Sequence, residues 1–280
     1  MPAALLTILL LILPVLCLLL ALWLLWLMGK LRRMHLQLAA LQDQAASAPG
    51  QLYRQLEALA CLQQELQLAR SLPSTRGWAA SPDFLLALVR QVQASAPCVV
   101  LECSSGASTV VLARALQQQG HGQLLSLEHD AYYATQTRRE LARHGLSGWA
   151  QVIDAPLRPH LLGGESWPWY DLAQLPAGLA IELLVIDGPP QATRSLARYP
   201  AGPLLFPMLS GGACVYLDDA ARAGEQAVLE RWQAEFPQLQ QSMLPCEKGC
   251  ALMVKETGEH RRRYSALNSA AAFAAHSASV

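Results

Sequence analysis

The chain has 280 residues, room for one domain of ordinary size and some extra segments. With 52% hydrophobic and 15% charged residues, it is not disordered as a whole. Its 21 basic and 21 acidic side chains cancel, so the surplus of positive charge that phosphate neutralisation needs is missing, and no nucleic acid is expected as a partner.

From Ala3 to Met28 no side chain is charged. As a helix that run would extend roughly 40 Å, more than the hydrocarbon core of about 30 Å. Trp23 and Trp26 lie near its end, where interfacial aromatics belong, and Lys30, Arg32 and Arg33 follow at once. The pattern predicts a transmembrane anchor over 1–29 that enters the lipid bilayer through residues 3–28. Its basic flank predicts that everything beyond it is cytoplasmic, as in a single-pass (inner) membrane protein. A cleaved signal peptide fits worse, because the run lacks a basic start and a small-residue cleavage site and is too long.

Residues 30–70 read as a helical stalk broken near Ala46–Gly50. Within it Leu52, Leu56, Leu59, Leu62 and Leu66 recur at spacings of three and four. Such a stripe suits a helix packed on the domain or the bilayer surface, or a short coiled coil that makes a homodimer. Residues 71–80 read as a linker. Ser81-Pro82-Asp83 then opens a helix with a capping serine, a proline at the first helical position and an acid in the first turn.

Over 81–257 the pattern becomes short apolar runs between helical stretches. The runs are Val99–Leu101, Leu124–Leu127, Gln151–Ile153, Ile181–Ile186 and Ala213–Leu217; the helices are Ser108–Gln119, Tyr132–His144, Asp171–Leu175, Ala192–Leu209 and Ala223–Phe236. Apolar strands alternating with amphipathic helices predict an α/β fold, a doubly wound and mostly parallel sheet covered on both faces. A hairpin, Gln241–Leu244 with Ala251–Lys255, closes the domain, and the tail 258–280 reads as disordered. Arg261–Arg263 in that tail form a basic triplet, read as solvated or in contact with anionic lipid. The seven cysteines include one in the apolar N-terminal run and three inside other apolar stretches, which is no disulfide framework. Cys246 and Cys250 flank a short turn, but a metal site there lacks a second ligand pair.

In a doubly wound sheet, ligands bind beyond the carboxyl ends of the strands. The first strand ends in Glu102, followed by the small-residue loop Cys103-Ser104-Ser105-Gly106-Ala107 and a helix near Ser108. Such a turn lets a ligand approach backbone N–H groups. The second ends in Glu128-His129-Asp130, where an acid can accept hydrogen bonds from two ribose hydroxyls. The third gives Asp154-Ala155, the fourth Asp187-Gly188-Pro189-Pro190, the fifth Asp218-Asp219. One terminal aspartate is often only a helix cap, but three in series at the ligand edge point to a site. Trp167-Pro168-Trp169-Tyr170-Asp171 suits an acceptor pocket or simple loop packing. Arg198 and Arg222 suit an anionic acceptor or surface salt bridges.

Together these segments resemble the class I S-adenosylmethionine-dependent methyltransferases, most closely the catechol O-methyltransferase-like branch and its small bacterial relatives. The resemblance covers Ser81 to Lys255 and rests on Leu127-Glu128-His129-Asp130 through Gly145-Leu146, on Val185-Ile186-Asp187-Gly188-Pro189 and on Leu217-Asp218-Asp219. It implies S-adenosylmethionine as cofactor and O-methylation of a small-molecule or envelope-associated acceptor. By it, Glu128, with His129 beside it, would hold the ribose, and Asp154 and Ala155 would flank the adenine. Ser104, Gly106 and Ser108 would pass under the methionine part, Glu102 would fix its amino group, and Asp187 would stand beside the reacting sulfonium as the catalytic residue. In the metal-dependent branch Asp187, Asp218 and Asp219 would bind Mg²⁺. Two departures stand out: only Gly106 keeps the glycine pattern of the family's first loop, and the lysine that follows the first metal acid in the catechol enzymes is absent. The alternatives are an inactive membrane scaffold with the same fold, and a nicotinamide-dependent oxidoreductase. The second wants a glycine-rich loop and a Tyr-x-x-x-Lys set that are not here.

Overall fold

The computed structural model describes the backbone of residues 2–75, 77 and 79–256, without the side chains of 2–12, 15, 40, 43, 44 and 47; the predicted tail 258–280 lies outside the described residues. The chain divides into two compact units, 1–53 and 54–280. Helix α1 runs Pro2–Leu66 with Pro14 and Pro49 inside it. It does not break at 46–50 as the sequence suggests. Proline removes one amide donor and strains one turn, and the alanines, leucines and glutamines around Pro49 are strong helix formers that carry the chain through. Among the described residues no helix is long and apolar enough to cross a membrane. The predicted span 3–28 falls in part on side chains outside that set.

The last turns of α1 belong to the second unit, where Ala58, Leu62 and Leu66 join the core. The buried face is Gln55, Ala58, Leu62 and Leu66, while Leu52 and Leu56 are about half exposed at 49% and 55%. The predicted stripe thus holds at Leu62 and Leu66, while Gln55 and Ala58 are buried in place of Leu52 and Leu56. Gln55 fixes the register: its amide donates to Asp83 Oδ2 (2.7 Å) and its carbonyl oxygen accepts from the Asp83 N–H (3.2 Å). Arg114 donates to the carbonyls of Leu66 and Gln67, closing the helix end.

Helix α2 (Pro82–Ser95) is followed by β1 (Val99–Cys103), α3 (Ala107–Gln119), β2 (Gln123–Glu128), α4 (Ala131–Arg143) and β3 (Ala150–Asp154). A hairpin, β4 (Leu157–Leu162) and β5 (Glu165–Tyr170), intervenes before β6 (Ile181–Ile186). Then come α5 (Ala201–Leu205), β7 (Leu209–Asp218), α6 (Ala223–Glu235), β8 (Leu239–Leu244) and β9 (Cys250–Lys255). The main sheet has the order β3-β2-β1-β6-β7-β9-β8, and only β9 runs against the rest. This is a Rossmann-like α/β fold.

Alternation along the strands builds two cores. Val100, Leu124, Leu183 and Val185 face the core shared with α1, α2, α3 and α4. Leu101, Leu125, Leu184 and Ile186 face the one shared with the hairpin, α5 and α6. Each fully buried leucine is worth roughly 1.5–3 kcal/mol relative to exposure.

Two predicted helices are absent. Residues 171–176 are irregular apart from a turn at 173–174, and the stretch 192–209 holds only single turns of 3₁₀ helix around the five-residue α5. Pro200, Pro203 and Pro207 explain the second, since each lacks an amide donor. The aromatic segment 167–171 belongs not to a loop but largely to β5.

Candidate functional site

The strand registers put the expected acids in one row. Cys103 lies opposite Leu127 and Ile186, Glu128 opposite Asp154, and Ile186 opposite Leu217. Glu128, Asp154 and Asp218 therefore end their strands at one edge, with Asp187 just beyond β6 and Glu102 one residue inside the end of β1. Strand order reverses between β1 and β6, where the connection from β1 leads one way across the sheet and that from β6 the other. A crevice at such a switch point is where ligands bind.

The β1–α3 loop is held in an unusual conformation. Ser104 has φ +109° and Gly106 φ +152°, regions that side chains rarely enter. Ser104 donates from its N–H to Leu127 O (2.9 Å), and its carbonyl accepts from Ser126 Oγ (2.6 Å). A β-carbon at Gly106 would meet nothing within 4 Å, so the loop faces open space at this point.

Glu102 is fully buried. Thr109 Oγ1 donates to its Oε2 (2.7 Å), and Oε1 has no partner. Burial pushes its carboxyl up to about 7, opposed by the hydroxyls of Ser108, Thr109 and Ser126 around it. Glu128 is nearly as buried but better served. Ser105 Oγ donates to Oε2 (2.8 Å), the Asp130 N–H to Oε1 (3.0 Å), and His129 Nδ1 lies 3.1 Å from Oε1. Burial alone would raise its carboxyl; these donors outweigh it and leave it below the usual range. The Glu128 carboxylate beside it raises the His129 imidazole against its own burial. One acid is thus held ionised at neutral pH and the other is poised near neutrality.

Asp154 is exposed, and its carboxylate pairs with Arg138 (2.9 Å); Ala155 is buried and donates to Glu128 O (2.7 Å). Ser108 lies buried in the first turn of α3.

Asp187, Asp218 and Asp219 converge, one oxygen of each lying within 4.8 Å of the others. Arg198 stands among them, only 4% exposed, so of its two expected readings the surface salt bridge does not hold. Its Nη2 donates to Asp219 Oδ2 (2.8 Å) and Asp187 Oδ1 (3.2 Å), its Nη1 to Asp218 O (2.7 Å). Glu225 lies 3.8 Å from its Nε, and Arg222 adds a second cation at 2.9 Å from Asp219. Both oxygens of Asp218 and Oδ1 of Asp219 remain unpartnered. Burial raises Asp187 to about 6, opposed by Arg198, and Asp218 to about 8 with Asp187 and Asp219 adding to it. As a test of fit for a divalent cation, the donor set has the right atoms at suitable spacing, while the two arginines already offset much of its charge.

Sequence patterns did not single out Ser105 and Thr109, which pin Glu128 and Glu102; small hydroxyl residues in a turn carry little signal by themselves. No metal-ligating cluster forms at Cys246 and Cys250 among the described residues.

A family model described as a methyltransferase domain matches residues 101–220. No curated protein matches the chain. Among solved structures, the chain is similar to cofactor-bound Rv0187 from MTB (23% identity, TM-score 0.49, covering 71% of this chain and 89% of that one). It is also similar to an O-methyltransferase from Bacillus cereus in complex with SAH (18%, TM-score 0.48, 71% and 91%). A third is the O-methyltransferase TomG from Streptomyces achromogenes, involved in tomaymycin synthesis and solved with SAM (15%, TM-score 0.47, 72% and 89%).

Proposed function

We propose that the chain is an S-adenosylmethionine-dependent methyltransferase acting on an oxygen of a small-molecule or envelope-associated acceptor. The observation that carries this is the carboxylate of Glu128. It is held ionised at the end of β2 beside the β1–α3 loop, at the sheet's switch point, where a ribose diol is the natural partner. Methyl transfer is an in-line displacement at the sulfonium carbon, so the protein's part is to hold the two reactants in line. Asp187, at the end of β6, would accept a proton from the nucleophile or orient it; its position beside Arg198 fixes where the carboxylate can point. Calorimetric titration of the purified full chain tests the reading. Binding of adenosylmethionine or adenosylhomocysteine without binding of NAD supports it. NAD binding alone, or neither, overturns it.

A second reading adds a divalent cation, favoured by the unpartnered oxygens of Asp218. Asp187, Asp218 and Asp219 would hold it, and it would lower the pKa of an acceptor hydroxyl. Loss of methyl transfer on exhaustive chelation, restored by Mg²⁺, supports the cation; unchanged transfer sinks it and leaves Arg198 as the resident counter-charge.

The uncharged run Ala3–Met28 and the basic residues after it support a further part of the proposal: the chain is anchored in a lipid bilayer and its second unit faces the cytoplasm, where adenosylmethionine is made. Self-association through residues 30–70 belongs to the same proposal.

A further inference from the structure

Tyr170 is the last residue of β5, in the hairpin inserted between β3 and β6. Its side chain is fully buried, yet its hydroxyl has no hydrogen-bond partner. The ring packs edge-on against Trp169 (5.1 Å between centroids) and His129 (6.1 Å). Phenylalanine would satisfy the same packing without stranding a polar group, and leaving a buried hydroxyl unpaired is unfavourable.

The hydroxyl points at the site. A β-carbon at Gly188 would collide with it, and the same β-carbon would lie 3.1 Å from Ser104 Cβ and 3.3 Å from Cys103 O. The oxygen therefore sits where the β1–α3 loop meets the turn after Asp187. Burial raises the phenol well above its ordinary range, with Glu128 and Asp187 adding to the effect, so it stays protonated and can donate. Glu102, one residue before Cys103, offers the opposite group: a buried carboxylate oxygen, Oε1, that also lacks a partner. The unpaired hydroxyl, set where the β1–α3 loop meets the turn after Asp187, suits an anionic group of a ligand lying over that loop.

Resting on the cofactor reading above, we infer that Tyr170 is a cofactor-binding residue whose hydroxyl donates to the carboxylate of the methionine part of adenosylmethionine, while Glu102 takes the ammonium. The inserted hairpin then belongs to the cofactor site, and Gly188 is glycine because the hydroxyl occupies the space of a side chain.

The test compares adenosylhomocysteine with methylthioadenosine, which lacks both the ammonium and the carboxylate, on the full chain. Tyr170→Phe should weaken adenosylhomocysteine roughly ten- to hundred-fold, as loss of a hydrogen bond to a charged group does, and leave methylthioadenosine unchanged. Its melting temperature should hold or rise, since the ring remains and the stranded hydroxyl goes. Gly188→Ala, which displaces the hydroxyl, should show the same selective loss. Equal adenosylhomocysteine affinity in Tyr170→Phe overturns the inference, as does an equal loss for both ligands. Lower methyl transfer with adenosylhomocysteine affinity intact also overturns it, since the hydroxyl would then serve the acceptor. Failure of the unsubstituted chain to bind adenosylhomocysteine at all overturns the cofactor reading itself.

Discussion

Two glutamates one strand apart show how neighbours set a carboxyl's behaviour. Glu128 has two hydrogen-bond donors with the His129 imidazole 3.1 Å away, and stays charged; Glu102 lacks a partner on one oxygen and is pushed to about 7. Replacing Glu128 by glutamine should weaken adenosylhomocysteine by about 1–3 kcal/mol, because charge-assisted bonds to the ribose become neutral ones. Calorimetry checks this, and unchanged affinity would take Glu128 out of the site. Glu102, Asp187 and Asp218 have folded pKa values above their ordinary ones, so the folded state binds more protons than the unfolded. Stability of the ligand-free chain should therefore fall as pH rises from about 5 through 8. Glu102 alone accounts for on the order of 2–3 kcal/mol at most. Melting temperatures at pH 5.5 and 8.5 measure the slope, and Glu102→Gln should flatten it. A protein more stable at pH 8.5 contradicts the assignment. Cofactor binding should run the other way, improving with pH as Glu102 ionises to meet the ammonium.

At the scale of elements, the chain beyond residue 53 depends on a helix that sequence patterns assign to a stalk. Leu62 and Leu66 are fully buried in the same core as α2 and α3. A chain shortened to begin at Arg54 should melt as the full one does. One shortened to Ser71 loses those two leucines, at roughly 1.5–3 kcal/mol each, and should melt far lower or fail to fold; equal melting would show the helix end to be dispensable. Five of the six parallel strands were legible because each holds a short apolar run bounded by polar or turn residues, as Leu183–Ile186 illustrates. The β4–β5 hairpin was not. Arg158, Pro159 and His160 on one strand, Glu165, Ser166 and Pro168 on the other, interrupt any alternation of polar and apolar residues. What stabilises it is burial of Trp167, Trp169 and Tyr170 against the sheet, a tertiary effect that local pattern does not carry. The acids of the site were legible for the complementary reason: each lies within a residue of a strand end. Arg198 was not, because its burial comes from the approach of Asp187, Asp219 and Glu225 out of separate segments.

For the whole molecule, the proposed bilayer anchor predicts how the protein partitions. After alkaline carbonate extraction the full chain should stay with membranes, while a chain beginning at Arg54 should be released. Release of the full chain would remove the anchor and the orientation inferred from it. The sheet's far margin raises a separate matter. Reversal of β9 places β8 at the outer edge, paired on one side only among the described residues. Gln240 and Gln241 are exposed there, and Met243 is 51% exposed; the strand carries no proline, lysine or other charge. Natural edges are commonly blunted by such residues because bare backbone amides and carbonyls template further pairing. In crowded solution this margin is where strand could add to strand, and colloidal behaviour at high concentration would then be governed by Leu239–Leu244 rather than by the edge that carries Glu128 and Asp187.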